Sequence, residues 1–536
     1  LSLQNNRIRN ITNATFEKLA NLFTLDLSHN VIKVIEVGAF TPLRKLKVLD
    51  LSFNRGMGYS VKHLSPALLS PLKSLIELSI QGNSNGATSY PNQALSRLYN
   101  LKNLTTDGLN TVFGKEVRNL KNLISVRLTS RHLKVINQTF FENVPRLKSL
   151  EIFQSSLSYV DVSAYKQVNL TSLTMSHLVN YDLFTAFDDL QGLQYSQLKS
   201  LSLIRLYYRS FPCRFLNKSH AKYLTNIALE RLDLSENLIA LLGQDFADLL
   251  PKTLTALILR DNKFSLRGNV MTLVSHLNEL KELDLSVQNH DKLRGGFKDQ
   301  VSEQAQLTGS CQTDSKDCSV GSVSCDAFKR KNIIAMTFPP KLSVLNASQF
   351  FSLGATVLTP HWRKSKLKIL DLSKSFLSTW GMGSMLLHIE RAFLSENYCK
   401  HIQRNFFKQN NSLIYLDLHD NVLGSDFAED LDGVIFAQLS QLKYLDISFN
   451  VIFSLPSQFF KGLKDLRYLK LSDNKLQVLN TTFSYMSRLQ YLDLSRNSIA
   501  WISRQVRDDL DRIGSDLSVD LTLNPLPCTC AAIDLL

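Results

Sequence analysis

The chain has 536 residues, a length that predicts about three or four compact domains at roughly 150 residues each, yet no linker-like stretch divides it. Hydrophobic residues make up 44% and charged residues 20%, ordinary values for a chain that buries a core, and they exclude disorder and collagen-like structure. No apolar run reaches the ~18 residues of a bilayer-spanning helix, and Leu1 is not an initiator methionine followed by a signal peptide, so the expectation is a soluble protein or a piece of a longer one. A formal charge of +14 favours acidic partners and admits nucleic acid, anionic glycans and anionic membrane surfaces alike.

From the first residues the chain repeats itself. The segment LFTLDLSHN at 22–30 returns as LKVLDLSFN at 46–54, and Asn6, Asn30 and Asn54 stand 24 residues apart. Asn397 and Asn421 keep that interval, as do Asn450 and Asn474. Inward leucines alternate with outward polar residues at period two, which reads as a short half-buried strand that turns at the asparagine. The asparagine amide can serve backbone groups that lose their strand partner at the turn, so stacked copies predict an asparagine ladder. A second apolar arm follows each strand: Ile32, Ile35, Phe40 and Leu43 early, then Leu476, Leu479, Phe483 and Met486 late. One copy cannot bury both arms alone. The pattern LxxLxLxxN is the leucine-rich repeat, and it predicts an α/β solenoid, a horseshoe with a parallel concave sheet, of about twenty repeats.

Two interruptions follow in chain order. Between Arg127 and Arg205 the asparagine position holds Arg131, Ser155, Leu178 and Leu206, and the usual aspartate is absent, so the ladder is expected to break there. Later, Gln288 and Phe350 occupy equivalent positions 62 residues apart, which exceeds one period by about 38 residues. The excess is polar, carries Cys311, Cys318 and Cys325, and ends in the basic run Lys329, Arg330, Lys331 after Phe328. It reads as an exposed loop, and a solvent-exposed basic run of this kind resembles a processing site. The expected organisation is a repeat block over 1–288, an insertion over 289–340, a second repeat block over 341–524 and the start of a cap over 525–536.

At the far end, Asn524, Pro525, Cys528 and Cys530 form N-P-x-x-C-x-C, and here the chain resembles Toll-like receptor ectodomains at the start of their cysteine-rich C-terminal cap. The repeat resemblance covers nearly the whole chain. Two further cap cysteines of the family lie beyond Leu536, and no N-terminal cap precedes Leu1, so a fragment is expected. The 24-residue form with phenylalanine separates the chain from plant receptors. Small matrix proteoglycans and neuronal adhesion proteins share the repeat but rarely reach twenty copies. The match looks nearest to the Toll-like receptor 13/21/22 group, whose endosomal nucleic-acid-sensing relatives carry a comparable insertion that is cut during maturation. The cysteines of this insertion depart from that pattern.

Cysteine spacing in the insertion does not match a zinc site, where two ligands usually stand two to four residues apart. Disulfide use of Cys311, Cys318, Cys325, Cys528 and Cys530 is expected, which implies an oxidising compartment. Cys399 sits at an inward apolar position and reads as a buried free thiol. Glycosylation sequons at Asn10, Asn13, Asn103, Asn137, Asn169, Asn217, Asn346, Asn410 and Asn480 point to the secretory pathway, with glycans expected on convex and lateral surfaces. No nucleophile elbow, phosphate loop or zinc-protease motif is present, and neither an enzyme nor a cofactor or metal is expected.

What remains is surface. Basic and aromatic residues interleave in Arg205, Tyr207, Tyr208 and Arg209, and again in His361, Trp362, Arg363, Lys364 and Lys366, a composition suited to phosphates and stacked bases, although such clusters also serve as plain solvated faces. Arg127 and Arg131 add charge beside the strands, and His132, His177 and His361 would add more as pH falls toward about 6. The resemblance implies the extracellular or endosomal lumenal part of a single-pass type I membrane protein, an innate immune pattern-recognition receptor. It would bind a microbial ligand, RNA or DNA by these clusters, and dimerise to signal through a cytoplasmic domain and adaptor. The alternatives are a cell-surface receptor of the same family for lipopeptide or protein, and a non-signalling adhesion or matrix protein.

Overall fold

The computed structural model describes residues 1–60, 62–84, 90–109, 112–129, 132–206, 214–264, 270–288, 333–334, 338–350, 357–358, 366–380, 388–404, 406–407 and 412–526. Two compact units arise: residues 1–238 with 248–254, and residues 239–247 with 255–536. Their division falls upstream of the insertion that the sequence places at 289–340.

Both units are built from short parallel strands, one per repeat, hydrogen-bonded within each unit to their sequence neighbours. In the first unit they are Thr24–Asp26, Val48–Asp50, Glu77–Ser79, Asn103–Asp107, Ser125–Thr129, Ser149–Phe153, Ser172–Ser176, Ser200–Ile204 and Arg231–Asp233. In the second they are Ala256–Ile258, Glu282–Asp284, Val344–Asn346, Ile369–Asp371, Arg391–Phe393, Tyr415–Asp417, Tyr444–Asp446, Tyr468–Lys470, Tyr491–Asp493 and Ser518–Asp520. A bridge from Ser2 to Asp26 adds the first repeat, matching the expected count. Alternation puts Leu25, Leu49, Leu283, Leu416, Leu445 and Leu492 inside, each at most 1% exposed, and leaves the residues on either side of them facing outward. Glu282 pairs with Val344 across 62 residues of chain, so the insertion leaves the register of the sheet intact.

Behind the strands the returning arms pack phenylalanines from successive repeats. In the second unit Phe407, Phe436, Phe459, Phe460 and Phe483 follow one another at ring-centroid distances of 5.8, 5.3, 5.1 and 5.7 Å. Each buries fully, a contribution on the order of 1.5–3 kcal/mol apiece relative to exposure.

The ladder satisfies the turn. Asn474 Nδ2 donates to the carbonyls of Ile447 and Leu471 at 3.1 and 3.0 Å, and its Oδ1 accepts from the amides of Asn450 and Ile452 at 2.8 and 3.0 Å. Asn54, Asn237, Asn397, Asn421 and Asn497 bond their own and the preceding repeat in the same way. Gln288 does so with its longer amide, donating to Leu259 and Leu285 at 3.0 Å each. The residue before the ladder position takes a left-handed conformation without being glycine: His29 at φ 53°, Phe53 at 55°, Glu396 at 55° and Asp473 at 55°. That conformation costs roughly 1–2 kcal/mol for a side-chain-bearing residue, and the ladder bonds offset it.

Where asparagine is absent the strands are longer. From Asn103–Asp107 to Ser200–Ile204 they run to five residues and end two residues before the ladder position. Ser155 Oγ reaches Leu133 O at 3.0 Å, and Leu178 and Leu206 are simply buried. At the start of this stretch Asp107, 3% exposed, accepts from the amides of Gly82, Asn83 and Ser84 at 2.8, 3.0 and 2.7 Å. Tyr59 joins it by donating to Ile80 O at 2.9 Å and accepting from the Asp107 amide at 3.0 Å.

Asn474→Ala strips the partner from Ile447 O and from the amides of Asn450 and Ile452, leaving Leu471 O to Asn497, and is expected to destabilise the chain by about 2–4 kcal/mol, whereas Ser155→Ala should cost about 1 kcal/mol. Urea midpoints of the two variants check this; equal shifts would show that the ladder amide does no more than a lone hydroxyl.

Candidate ligand-binding surface

The outward residues of the strands stand in rows across each sheet, because parallel register places the same repeat position side by side. In the first unit Arg127 lies opposite Glu151, its Nε 3.4 Å from Glu151 Oε1, with the guanidinium 4.7 Å from the Phe153 ring centroid. The Phe153 ring is in turn 5.3 Å from His177. Arg205 Nη1 stands 3.5 Å from Glu236 Oε2. Both pairs are a third or more exposed, so each contributes about 0–1 kcal/mol and leaves its arginine open to an outside anion. Three strand spacings, about 14 Å, separate Arg127 from Arg205, so the structure does not gather them into one cluster.

The second unit has a different open face. Tyr415, Tyr444, Tyr468 and Tyr491 occupy one register position on four successive strands. Tyr415 and Tyr444 stack at 4.3 Å with 5° between planes. Arg391, next in the row, lies 4.9 Å from the Tyr415 centroid, and Lys470 lies 5.7 Å from that of Tyr444. Two residues further along each strand run Asp284, Asn346, Asp371, Phe393, Asp417, Asp446, Lys470, Asp493 and Asp520. Burial holds the Tyr415 and Tyr444 hydroxyls well above the usual phenol range, and the carboxylates of Asp417 and Asp446 raise both further. Burial also raises the Asp371 carboxyl. His419 is held above the ordinary imidazole value, chiefly by its 2.7 Å Nδ1 bond to Asp417 Oδ1. Sequence reasoning missed this face, although the repeated Y-L-D and Y-L-K triplets at 415–417, 444–446, 468–470 and 491–493 carry its signal.

Of the other expected site residues, Lys366 is exposed just ahead of Ile369–Asp371. Arg131, Tyr207, Tyr208, Arg209, His361, Trp362, Arg363 and Lys364 lie outside the described residues, as do the processing run Lys329, Arg330, Lys331 and the cysteines Cys311, Cys318, Cys325, Cys528 and Cys530. Cys399 is free and 1% exposed, and burial pushes its thiol up to about 12.

Asn10, Asn13, Asn137, Asn169 and Asn480 are exposed, while Asn410 lies outside the described residues. Two sequons correct the expectation of convex and lateral glycans: Asn103 and Asn346 stand in strands of the sheet itself. Asn346 replaces the repeat's aspartate, its Oδ1 accepting from the amide and hydroxyl of Ser348. Asn217 caps a short helix by accepting from Ser219.

Away from the open face, Asp189 is held at about 6, first by burial. Tyr181 donates to its carboxylate. A carboxyl raised in the folded state binds its proton more tightly there than in the unfolded chain, so its contribution is full below the ordinary carboxylate range and is lost as pH rises through about 6. Asp189→Asn should therefore flatten the dependence of the unfolding midpoint on pH between 5 and 7. An unchanged slope would remove Asp189 from the pH response.

Comparison with known proteins gives the same architecture. A leucine rich repeat family model matches residues 1–55 and 440–499, and a model described as a BspA type leucine rich repeat region matches residues 73–194. Toll-like receptor 4 of Pinctada imbricata is 27% identical over 93% of this chain and 59% of its own length. Toll-like receptor 2 type-1 of Gallus gallus is 24% identical over 95% of this chain and 51% of its own length. The chain thus spans about half to six-tenths of these two relatives. The structure of the Drosophila Toll–Spatzle complex aligns with a TM-score of 0.52 at 17% identity, covering 92% of this chain and 60% of that one, which supports the solenoid fold. Among the described residues no helix is long and apolar enough to cross a membrane. With a strand, an amide ladder and a phenylalanine-packed arm in repeat after repeat, and with these relatives aligned along almost its whole length, the chain is a leucine-rich-repeat solenoid similar to Toll-like receptor ectodomains.

Proposed function

We propose that this ectodomain is the ligand-recognition part of an innate immune receptor, that its ligand is a microbial nucleic acid, and that it acts as a dimer. The observation that carries the ligand class is the formal charge of +14, with Arg127 and Arg205 reaching the open face of the first unit. The clusters at 205–209 and 361–366 extend this reading, and the basic run at 329–331 fits cleavage of the insertion. The proposed setting is the extracellular or endosomal lumenal side of a type I membrane protein with a cytoplasmic adaptor.

Dimerisation draws its support from an apolar row in the second unit. Phe376, Tyr398, Val422 and Val451 each directly follow a ladder position, and all are exposed, Phe376 at 51% and Tyr398 at 61%. The first two stack at 5.8 Å. Four apolar side chains on successive repeats make a patch that a second copy would cover.

A protein or lipopeptide ligand is the second reading. It is favoured by the tyrosine and aspartate rows of the second unit, where carboxylates would repel phosphate.

Salt separates the two. Nucleic-acid binding should weaken linearly on a log–log plot, by about −0.7 per phosphate contact on a single strand, and Arg127→Ala with Arg205→Ala should shallow that slope. A salt-insensitive affinity for a protein ligand, with no nucleic-acid binding at pH 5.5, would select the second reading. Protein from a secretory host should also lose apparent mass on glycosidase treatment; unchanged mobility would contradict the lumenal assignment.

A further inference from the structure

We infer that Asp417, His419 and Asp446 form a binding site for a divalent transition cation of the zinc class on the open face of the second unit. Asp417 and His419 stand two residues apart, at the end of and just beyond the strand Tyr415–Asp417, and Asp446 lies directly opposite Asp417 on the next strand. One donor atom from each of the three comes within 4.8 Å of the other two. A nitrogen and two carboxylate oxygens suit zinc, which binds them at roughly 2.0–2.2 Å, so the donors need to close to roughly 3.4 Å of one another, a rotamer-scale adjustment.

His419 is the residue that the fold does not require. In neighbouring repeats a serine occupies its position, and Ser348, Ser373, Ser448 and Ser495 each donate their hydroxyl to the residue two before at 2.6–3.0 Å. His419 reproduces that bond through Nδ1 and adds an imidazole, whose Nε2 stands 3.7 Å from Glu396 Oε1 on the preceding repeat. Asp417, 9% exposed, is only half used: its Oδ1 accepts from the His419 amide and ring, and no hydrogen bond reaches Oδ2 among the described residues. Asp446, 7% exposed, accepts from the amide and hydroxyl of Ser448 on Oδ1, and meets the Tyr444 hydroxyl at 3.3 Å and Lys470 Nζ at 3.5 Å on Oδ2.

Binding needs two local rearrangements. The Nδ1–H bond to Asp417 gives way, Nδ1 presents its lone pair to the cation, and the imidazole proton resides on Nε2, where Glu396 accepts it and orients the ring. Lys470 holds Asp446 only at long range and is released. Water completes the coordination, and the bound cation ties two successive repeats together.

The test titrates zinc chloride into the 1–536 chain, free of any histidine tag, and into His419→Ser, which restores the hydroxyl that other repeats use and so preserves the fold. The wild-type chain should show a saturable one-to-one component that His419→Ser weakens at least tenfold, and zinc should raise the thermal midpoint of the wild type but not of the variant. Indistinguishable isotherms for the two chains would overturn the site, as would a wild type that takes up no zinc. Calcium binding at the same strength would overturn the zinc-class assignment, since an imidazole ligand disfavours it.

Discussion

A turn that leaves backbone amides and carbonyls inside the protein is the constraint on which everything else rests. Such groups cost about 1–3 kcal/mol each when buried without partners, and every repeat creates several. The side-chain amides of Asn54, Asn237, Asn397, Asn450 and Asn474 meet that demand by joining each repeat to the one before it. Because the bond runs between repeats, no single copy is stable by itself, and the solenoid is the only arrangement that completes the set. At the first repeat without the amide, the buried Asp107 carboxylate accepts from three backbone amides of the preceding repeat instead.

The same period that aligns the amides aligns whatever the outward positions hold. A parallel sheet with fixed register turns a recurring triplet into a continuous row, so four Y-L-D or Y-L-K segments become one tyrosine row and a flanking acidic row. Recognition chemistry can therefore change from one stretch of the sheet to another at no cost to the core. The first unit offers an arginine paired with a glutamate and laid against an aromatic ring, while the second offers stacked tyrosines, carboxylates and an imidazole.

Much of the fold is legible in the chain itself, because leucine alternation, the ladder asparagine and the phenylalanine of the return arm recur at 24-residue spacing. The ladder gap and the 62-residue step in register are legible for the same reason, as departures from a period. Asp107 is not, since its role depends on three amides from the preceding repeat that no local pattern announces. The surface is less legible still. Arg127 and Arg205 read as free charge in the chain, whereas Glu151 and Glu236 face them across strand or turn. His419 reads as an ordinary polar residue until Asp446, 27 residues later in the chain, is seen beside it.

The central claim is that a nucleic acid is recognised by the strand-lined face of the first unit. Photo-crosslinking of a short single-stranded RNA to the glycosylated chain at pH 5.5, with crosslinked peptides mapped by mass spectrometry, tests it most directly. The account predicts crosslinks on peptides that carry Arg127, Phe153 and Arg205, and their loss in Arg127→Ala with Arg205→Ala. Crosslinks confined to the return arms, or none above those of an unrelated basic protein, would contradict it.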